Sequence, residues 1–308
     1  DIDWVAKVKM QGAIQKWVDH SISVTVNLPN NVSEALVADV YRTAWECGCK
    51  VEEEHIVGPM GEPVRIEMFC HGALCMAVSG KCYLSLDNLG RSANRGECMQ
   101  VCRRSYTVRD RETGVELDVD NKYIMSPKDL KTIGFIDRMM KAGVRVFKIE
   151  GRARSAEYVY TVVQCYKEAI AAVEEGTFTP EKVEDWNKRL ATVFNRGFWD
   201  GYYLGQKMGE WSEVYGSSAT EKKQYVGKGM KYFAKLGVGE FYIEAGEFAP
   251  GDKLLITGPT TGALYVEATD IHGDNGPVDK AMKGMRVSIP VPEKVRPSDR
   301  LYKIVKQK

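Results

Sequence analysis

The spacing of hydrophobic and polar positions changes several times along the chain. Trp4, Val8, Gln11, Ile14, Gln15 and Val18 recur at helical spacing, on a face that is only partly apolar. Ser21 to Leu28 alternates, with Ile22, Val24, Val26 and Leu28 on one side, and predicts a strand. Pro29, Asn30 and Asn31 break it. Ser33 then N-caps a helix whose Leu36, Val37, Val40, Tyr41 and Ala44 face one way, closed by Gly48. Further strands are expected at Arg65 to His71, Tyr123 to Ser126 and Val144 to Glu150. A helix from Ser155 to Glu175 turns Tyr158, Val162, Cys165, Tyr166 and Ile170 to one side and stops at Gly176. A shorter one starts near Pro180 with Val183, Trp186 and Leu190. Phe194 to Gly205, aromatic and punctuated by glycine, reads as a packed connector, with an RNA-stacking platform as the alternative. From about Tyr225, the runs GDKLLITGPTTG, KGMRVSIPV and RPSDRLYKIV read as short strands between Gly, Pro and Asp turns.

This pattern divides the chain into a strand–helix segment (1–50), a junction (51–61), an α/β region (62–205), a linker (206–222) and an all-β domain (223–308). The junction is polar and broken by Gly58, Pro59 and Gly61. A length of 308 residues suffices for two domains with their own cores. Hydrophobic content of 44% and charged content of 28% are ordinary for a globular protein. The net charge of +1 implies no nucleic-acid or membrane partner, so any RNA contact must come from a local basic patch. No signal peptide and no apolar run long enough for a bilayer is found, and the cytoplasm is the expected compartment.

Four of the eight cysteines, Cys75, Cys82, Cys98 and Cys102, follow the spacing C-x6-C-x15-C-x3-C. Thiolates gathered with few other ligands nearby suit a soft metal centre, zinc or an iron–sulfur cluster. Buried free thiols are the alternative. The loop among them is rich in arginine, with Arg91, Arg95 and Arg103 available to carboxylates or phosphates. Cys70 and Cys165 read as core, and His20, Cys47 and Cys49 as scaffold.

The run E-x-F-x-H-G-A-x-C-x6-C-x-L-S, then R-S-A-N-R-G-x-C-x3-C-R, with SPKDL at Ser126 to Leu130 and FKIEGR at Phe147 to Arg152, resembles the U32 peptidase family, the collagenase-like proteases. The likeness extends over about 64–308. Several members of that family resemble oxygen-independent hydroxylases that bind a [4Fe–4S] cluster through cysteines and act on tRNA or rRNA bases or a ubiquinone precursor. For the RNA-modifying members, prephenate is the implied donor. The resemblance therefore implies a [4Fe–4S] cluster on Cys75, Cys82, Cys98 and Cys102 (zinc being the alternative), an RNA partner and a small carboxylate donor. In such hydroxylases the KDL motif is commonly followed by a cysteine, where this chain has Lys131. Residues 1–50, by contrast, resemble the last strand–helix unit of the barrel of adenosylcobalamin-dependent ribonucleotide reductases. The chain thus reads as a junction of two unrelated pieces.

The U32 likeness implies an α/β fold, a partial TIM-like barrel, followed by a small all-β barrel. On the barrel reading, Lys148 and Glu150 point inward near the end of their strand, where TIM-barrel chemistry sits. Glu67 and His71 share the inward phase of their own strand and are expected to meet them. The resemblance adds Lys128, Asp129 and Arg152 to this rim. A collagenase-like peptidase is the competing reading, weakened because no Ser–His–Asp order or H-E-x-x-H motif occurs, though His71 beside Cys75 could form a thiol–imidazole pair. An inactive RNA-binding fragment is the third.

Overall fold

The computed structural model describes residues 10, 61–62, 65–75, 83–91, 97–119, 126–152, 154–205, 209–212 and 216–307. The segment expected at 1–50 (Met10 apart), the junction (Gly61 apart) and most of the strand expected at Tyr123 to Ser126 lie outside these residues.

In chain order the elements are β1 (Ile66–Gly72), α1 (Tyr83–Leu89), β2 (Tyr106–Arg109), β3 (Glu116–Val119), β4 (Asp129–Lys131), α2 (Ile136–Lys141), β5 (Val144–Ile149), α3 (Ala156–Glu174), α4 (Pro180–Ala191) and β6 (Phe198–Trp199). The C-terminal strands are β7 (Glu221–Phe233), β8 (Val238–Ile243), β9 (Glu247–Phe248), β10 (Lys253–Gly258), β11 (Gly262–Glu267), β12 (His272–Gly273), β13 (Gly276–Pro277), β14 (Ala281–Met282), β15 (Arg286–Pro290) and β16 (Arg300–Lys306). The described residues cluster into two compact units, one holding 65–69 and 137–148, the other holding 70–136, 149–204 and 209–307.

In the first unit β5 lies beside the first half of β1. Lys148 Nζ reaches Glu67 Oε1 at 3.1 Å and stands 5.1 Å from the centre of the Phe69 ring.

In the second unit the end of β1 pairs antiparallel with β4, His71 opposite Lys131 and Gly72 opposite Leu130. β4 pairs in parallel with β6. A TIM-like barrel runs its strands parallel; the described strands form a mixed sheet and close no barrel. Ser126, with φ +70°, and Pro127 turn the chain directly ahead of β4. Gly72 (φ +122°) is required where it stands, since a Cβ there would lie 2.6 Å from the Glu150 carbonyl oxygen. α3 buries Tyr158, Val162, Cys165, Tyr166 and Ala169, the stripe its periodicity requires. The Thr179 side chain caps α4 by accepting from the Lys182 amide at 3.4 Å, with Pro180 in the first turn. The segment read as a linker is tied into this unit: Lys128 N donates to Glu210 O at 2.9 Å, and Ser212 N to Ser126 O at 2.9 Å. β2 and β3 form a hairpin that the periodicity did not announce.

The C-terminal strands form an eight-stranded sheet in the order β11-β10-β16-β7-β8-β15-β12-β13, with each strand antiparallel to its neighbours. The linear order leaves β11 and β13 as edges, so the small barrel expected here is not closed by its described strands. Alternate residues such as Phe241, Ile243, Leu254, Ile256, Val287 and Leu301 fill one core. Each such side chain stabilises the fold by about 1.5–3 kcal/mol. Gly227 allows β7 to pass β8 closely, because a Cβ would sit 2.1 Å from the Tyr242 carbonyl oxygen.

Candidate active site

The SPKDL run places Asp129 at the start of β4, where it is 1% exposed. Its amide donates to the Gly197 carbonyl at 2.9 Å, which fixes the strand against the segment ahead of β6. Arg154 Nη2 lies 3.6 Å from Oδ2 and Arg196 Nη1 3.6 Å from Oδ1, with both side chains under a tenth exposed. These are ion pairs beyond hydrogen-bond length, so both carboxylate oxygens and Arg154 Nη2 lack a hydrogen-bond partner. The guanidiniums of Arg154 and Arg196 stand 4.2 and 5.0 Å from the centre of the Phe194 ring, a desolvated cation–π arrangement. Arg196 Nη2 also donates to Gln100 Oε1 at 3.1 Å.

Arg103 joins this cluster. Its Nη1 donates to Ser126 Oγ at 3.0 Å and Pro127 O at 2.7 Å, and its Nη2 to Leu74 O at 2.9 Å. The short helical turn Val101–Arg103 is thereby tied to the segments that carry Cys75 and Asp129. Burial lowers the pKa of Arg103, while negative charge at Cys102, Asp129 and Cys75 raises it. Burial, then the Arg103 charge, push Arg196 down to about 10. Burial raises the Asp129 carboxyl above its ordinary value, against the pull of Arg154, Arg196 and Arg103. Two buried guanidiniums thus pair with one carboxylate, with the half-buried Arg103 tied to the segment just ahead of it. That surplus of buried positive charge suits an anionic ligand with carboxylate or phosphate oxygens.

The other expected site residues are distributed differently. Glu67 and Lys148 pair with each other at about half exposure. A solvated pair of this kind contributes little. Glu150 Oε1 accepts from the Arg152 amide at 2.7 Å, and the Arg152 side chain is on the surface. Lys128 Nζ bonds Glu210 Oε2 at 2.7 Å. Arg91 lies on the surface, 3.6 Å from Glu97. Lys131 Nζ donates to Asn187 Oδ1 at 2.7 Å and stands 4.9 Å from the centre of the Phe198 ring. Arg95 and Cys82 lie outside the described residues. Arg154 and Arg196 were missed by sequence reasoning. The available signal was their place beside aromatic residues, in GRARSAEY and FNRGFW.

His71 is 1% exposed and ringed by Tyr158, Tyr166 and Phe198 at 5.5–6.0 Å between ring centres. Burial, then the charges of Lys131 and Arg154, push its pKa down from 6.5 to about 3. An enclosed imidazole whose pKa is lowered this far is too weak a base to take the proton of a thiol at neutral pH. The unfolded chain binds this proton near pH 6.5, whereas the folded one does not until about 3. Its stabilising contribution is therefore complete above pH 6.5 and is lost as the pH falls, by up to about 1.4 kcal/mol per unit. Asp129, whose carboxyl is raised by burial, acts in the opposite sense: its contribution is lost as the pH rises. His71→Gln should flatten the loss of stability between pH 6.5 and 5 in denaturant titrations; an unchanged slope would assign the acid sensitivity elsewhere.

Cys75 and Cys98 are exposed and Cys102 half-buried, and none is in a disulfide. Accessible thiols beside a guanidinium fit the donor chemistry of an iron–sulfur cluster. Among the described residues no three His, Cys, Asp or Glu side chains are close enough together to hold a metal ion. Cys70 and Cys165 are core thiols, pushed by burial to about 12 and about 11. Among the described residues no helix is long and apolar enough to cross a membrane.

Two family models match different parts of the chain. Residues 52–213 match the model of peptidase family U32, and residues 1–51 match that of the ribonucleotide reductase barrel domain. Two proteins of Porphyromonas gingivalis named collagenase are 61% identical over 276 residues and 65% identical over 253 residues. Those alignments cover 90% and 82% of this chain, and 66% and 70% of the relatives. The tRNA hydroxylation protein P1 of Bacillus subtilis is 31% identical over 249 residues, 78% of this chain and 58% of that protein. The chain thus spans about two thirds of the length of the two P. gingivalis relatives and less of the B. subtilis one.

Proposed function

The chain belongs to peptidase family U32, and we propose that it acts as an oxygen-independent hydroxylase of a tRNA or rRNA base in the cytoplasm. The observation that carries this reading is the buried pairing of Arg154 and Arg196 with Asp129, with Arg103 hydrogen-bonded to Leu74 and Pro127 in the segments that carry Cys75 and Asp129. The reaction exchanges a C–H bond of the base for C–OH. The oxygen comes from a hydroxylated carboxylate donor, which leaves reduced by the same two electrons; prephenate is the donor the resemblance implies. Arg103, Arg154 and Arg196 would hold the donor's carboxylates, and Asp129 keeps the buried guanidiniums in place. Cys75, Cys82, Cys98 and Cys102 would hold a [4Fe–4S] cluster, which when bound supplies electron-transfer and Lewis-acid chemistry. The hydroxylation activity named for the B. subtilis relative is in keeping with this reading.

The name of the two P. gingivalis relatives favours a second reading, a peptidase acting on collagen. The state of His71 speaks against a Cys75–His71 version of it. Nucleoside analysis of RNA from cells without the gene tests the proposal. One hydroxylated nucleoside should vanish, return with the wild-type gene and stay absent with an Arg154→Gln gene. An unchanged nucleoside profile would refute it.

A further inference from the structure

We infer that the outer face of the C-terminal sheet is an RNA-docking surface, an inference that rests on the RNA substrate proposed above and locates where that RNA is held. The register across four neighbouring strands sets Arg300 (β16) opposite Lys228 (β7), Lys228 opposite Tyr242 (β8), and Tyr242 opposite Arg286 (β15). Directly opposed residues of an antiparallel sheet project from the same face. The neighbours Leu301, Ile243 and Val287 are buried in the core on the other face, so this row points outward. Three strand-to-strand steps give the row a length of about 14 Å.

The row carries three cations. Lys228 pairs with Glu244 at 2.7 Å, whereas Arg286 and Arg300 are exposed and make no ion pair with a carboxylate among the described residues. Glu240, on the same face one row further along opposite Ser288, is the nearest other acid by register. The Tyr225–Tyr302 cross-strand pair flanks the row, ring centres 5.7 Å apart, and Tyr242 lies within it. Cations interleaved with aromatic rings match the chemistry of a polynucleotide, with guanidinium on phosphate and ring on base. An acidic peptide would use the charges and leave the rings idle, and a lipid surface would call for apolar side chains that this row lacks. The chain's net charge of +1 does not oppose this, because the charge that matters is local.

The test is binding of the full chain to an unmodified tRNA transcript and to a single-stranded uridine oligomer across a range of salt. Polyglutamate serves as an acidic polymer without bases. Each phosphate contact contributes about 0.7 to the slope of log K against log salt for single strands. The Arg286→Gln, Arg300→Gln double variant should therefore lower the slope by about 1.4 and weaken binding about tenfold at 0.15 M salt. Arg109→Gln, which removes the same kind of charge from the β2–β3 hairpin, should leave both unchanged, and matching thermal melts would show that the variants fold. RNA binding unaffected by the double variant would overturn the docking face while leaving the RNA reading intact. No RNA binding by the wild-type chain would overturn both. Polyglutamate binding equal to RNA binding would overturn the nucleic-acid assignment of the face.

Discussion

Asp129→Ala should destabilise the protein by about 3–5 kcal/mol, the usual cost of breaking a buried ion pair by removing one partner. Asp129 supplies the negative charge between Arg154 and Arg196, and all three side chains are under a tenth exposed. Without it, two guanidiniums remain desolvated beside a third, Arg103, with nothing to offset their repulsion. The corresponding fall in melting temperature is on the order of 10 °C. Adding Arg154→Met to Asp129→Ala should recover part of the loss, since it removes the charge left without a partner. A loss below about 1 kcal/mol in denaturant titration would show that Asp129 does not hold this cluster together.

Protein prepared without air should carry iron and acid-labile sulfide and absorb broadly in the visible. Cys75→Ala, Cys98→Ala or Cys102→Ala should each abolish that absorption. Cys165→Ala should leave it in place, because that thiol is buried in the core and kept protonated. Stoichiometric zinc without sulfide would replace the cluster by a structural metal site. The thiols sit on exposed or half-buried loop segments, so these variants should change metal content far more than fold.

Periodicity served well where one side of an element is buried by its immediate neighbours. The helix expected from Ser155 to Glu175 forms over Ala156–Glu174, and α4 begins at the expected Pro180. The runs LLITG and RVSIP became β10 and β15 because their alternation already separates core from solvent. Long-range placement was less legible. Alternation identified Glu67, His71, Lys148 and Glu150 as sharing strand phases, but phase does not specify what covers each residue. His71 was enclosed by rings from α3 and β6, while Glu67 and Lys148 met in solvent. The direction of β4 depends on a left-handed turn at Ser126, a residue type that rarely signals one. Arg154 and Arg196 were not singled out at all, because what buries them, Phe194 and Asp129, is set by packing and not by periodicity.

RNA hydroxylation by this chain, as proposed above, can be read out with purified protein. Protein reconstituted with iron and sulfide without air would be incubated with RNA from cells lacking the gene and with a hydroxylated dicarboxylate donor. Denatured collagen would be present as a second substrate. Mass analysis of the digested RNA should show one nucleoside heavier by a single oxygen atom, in reactions containing the donor and not in those without it, with the collagen intact. Cleaved collagen and unaltered RNA would rule out RNA hydroxylation and establish the peptidase reading in its place.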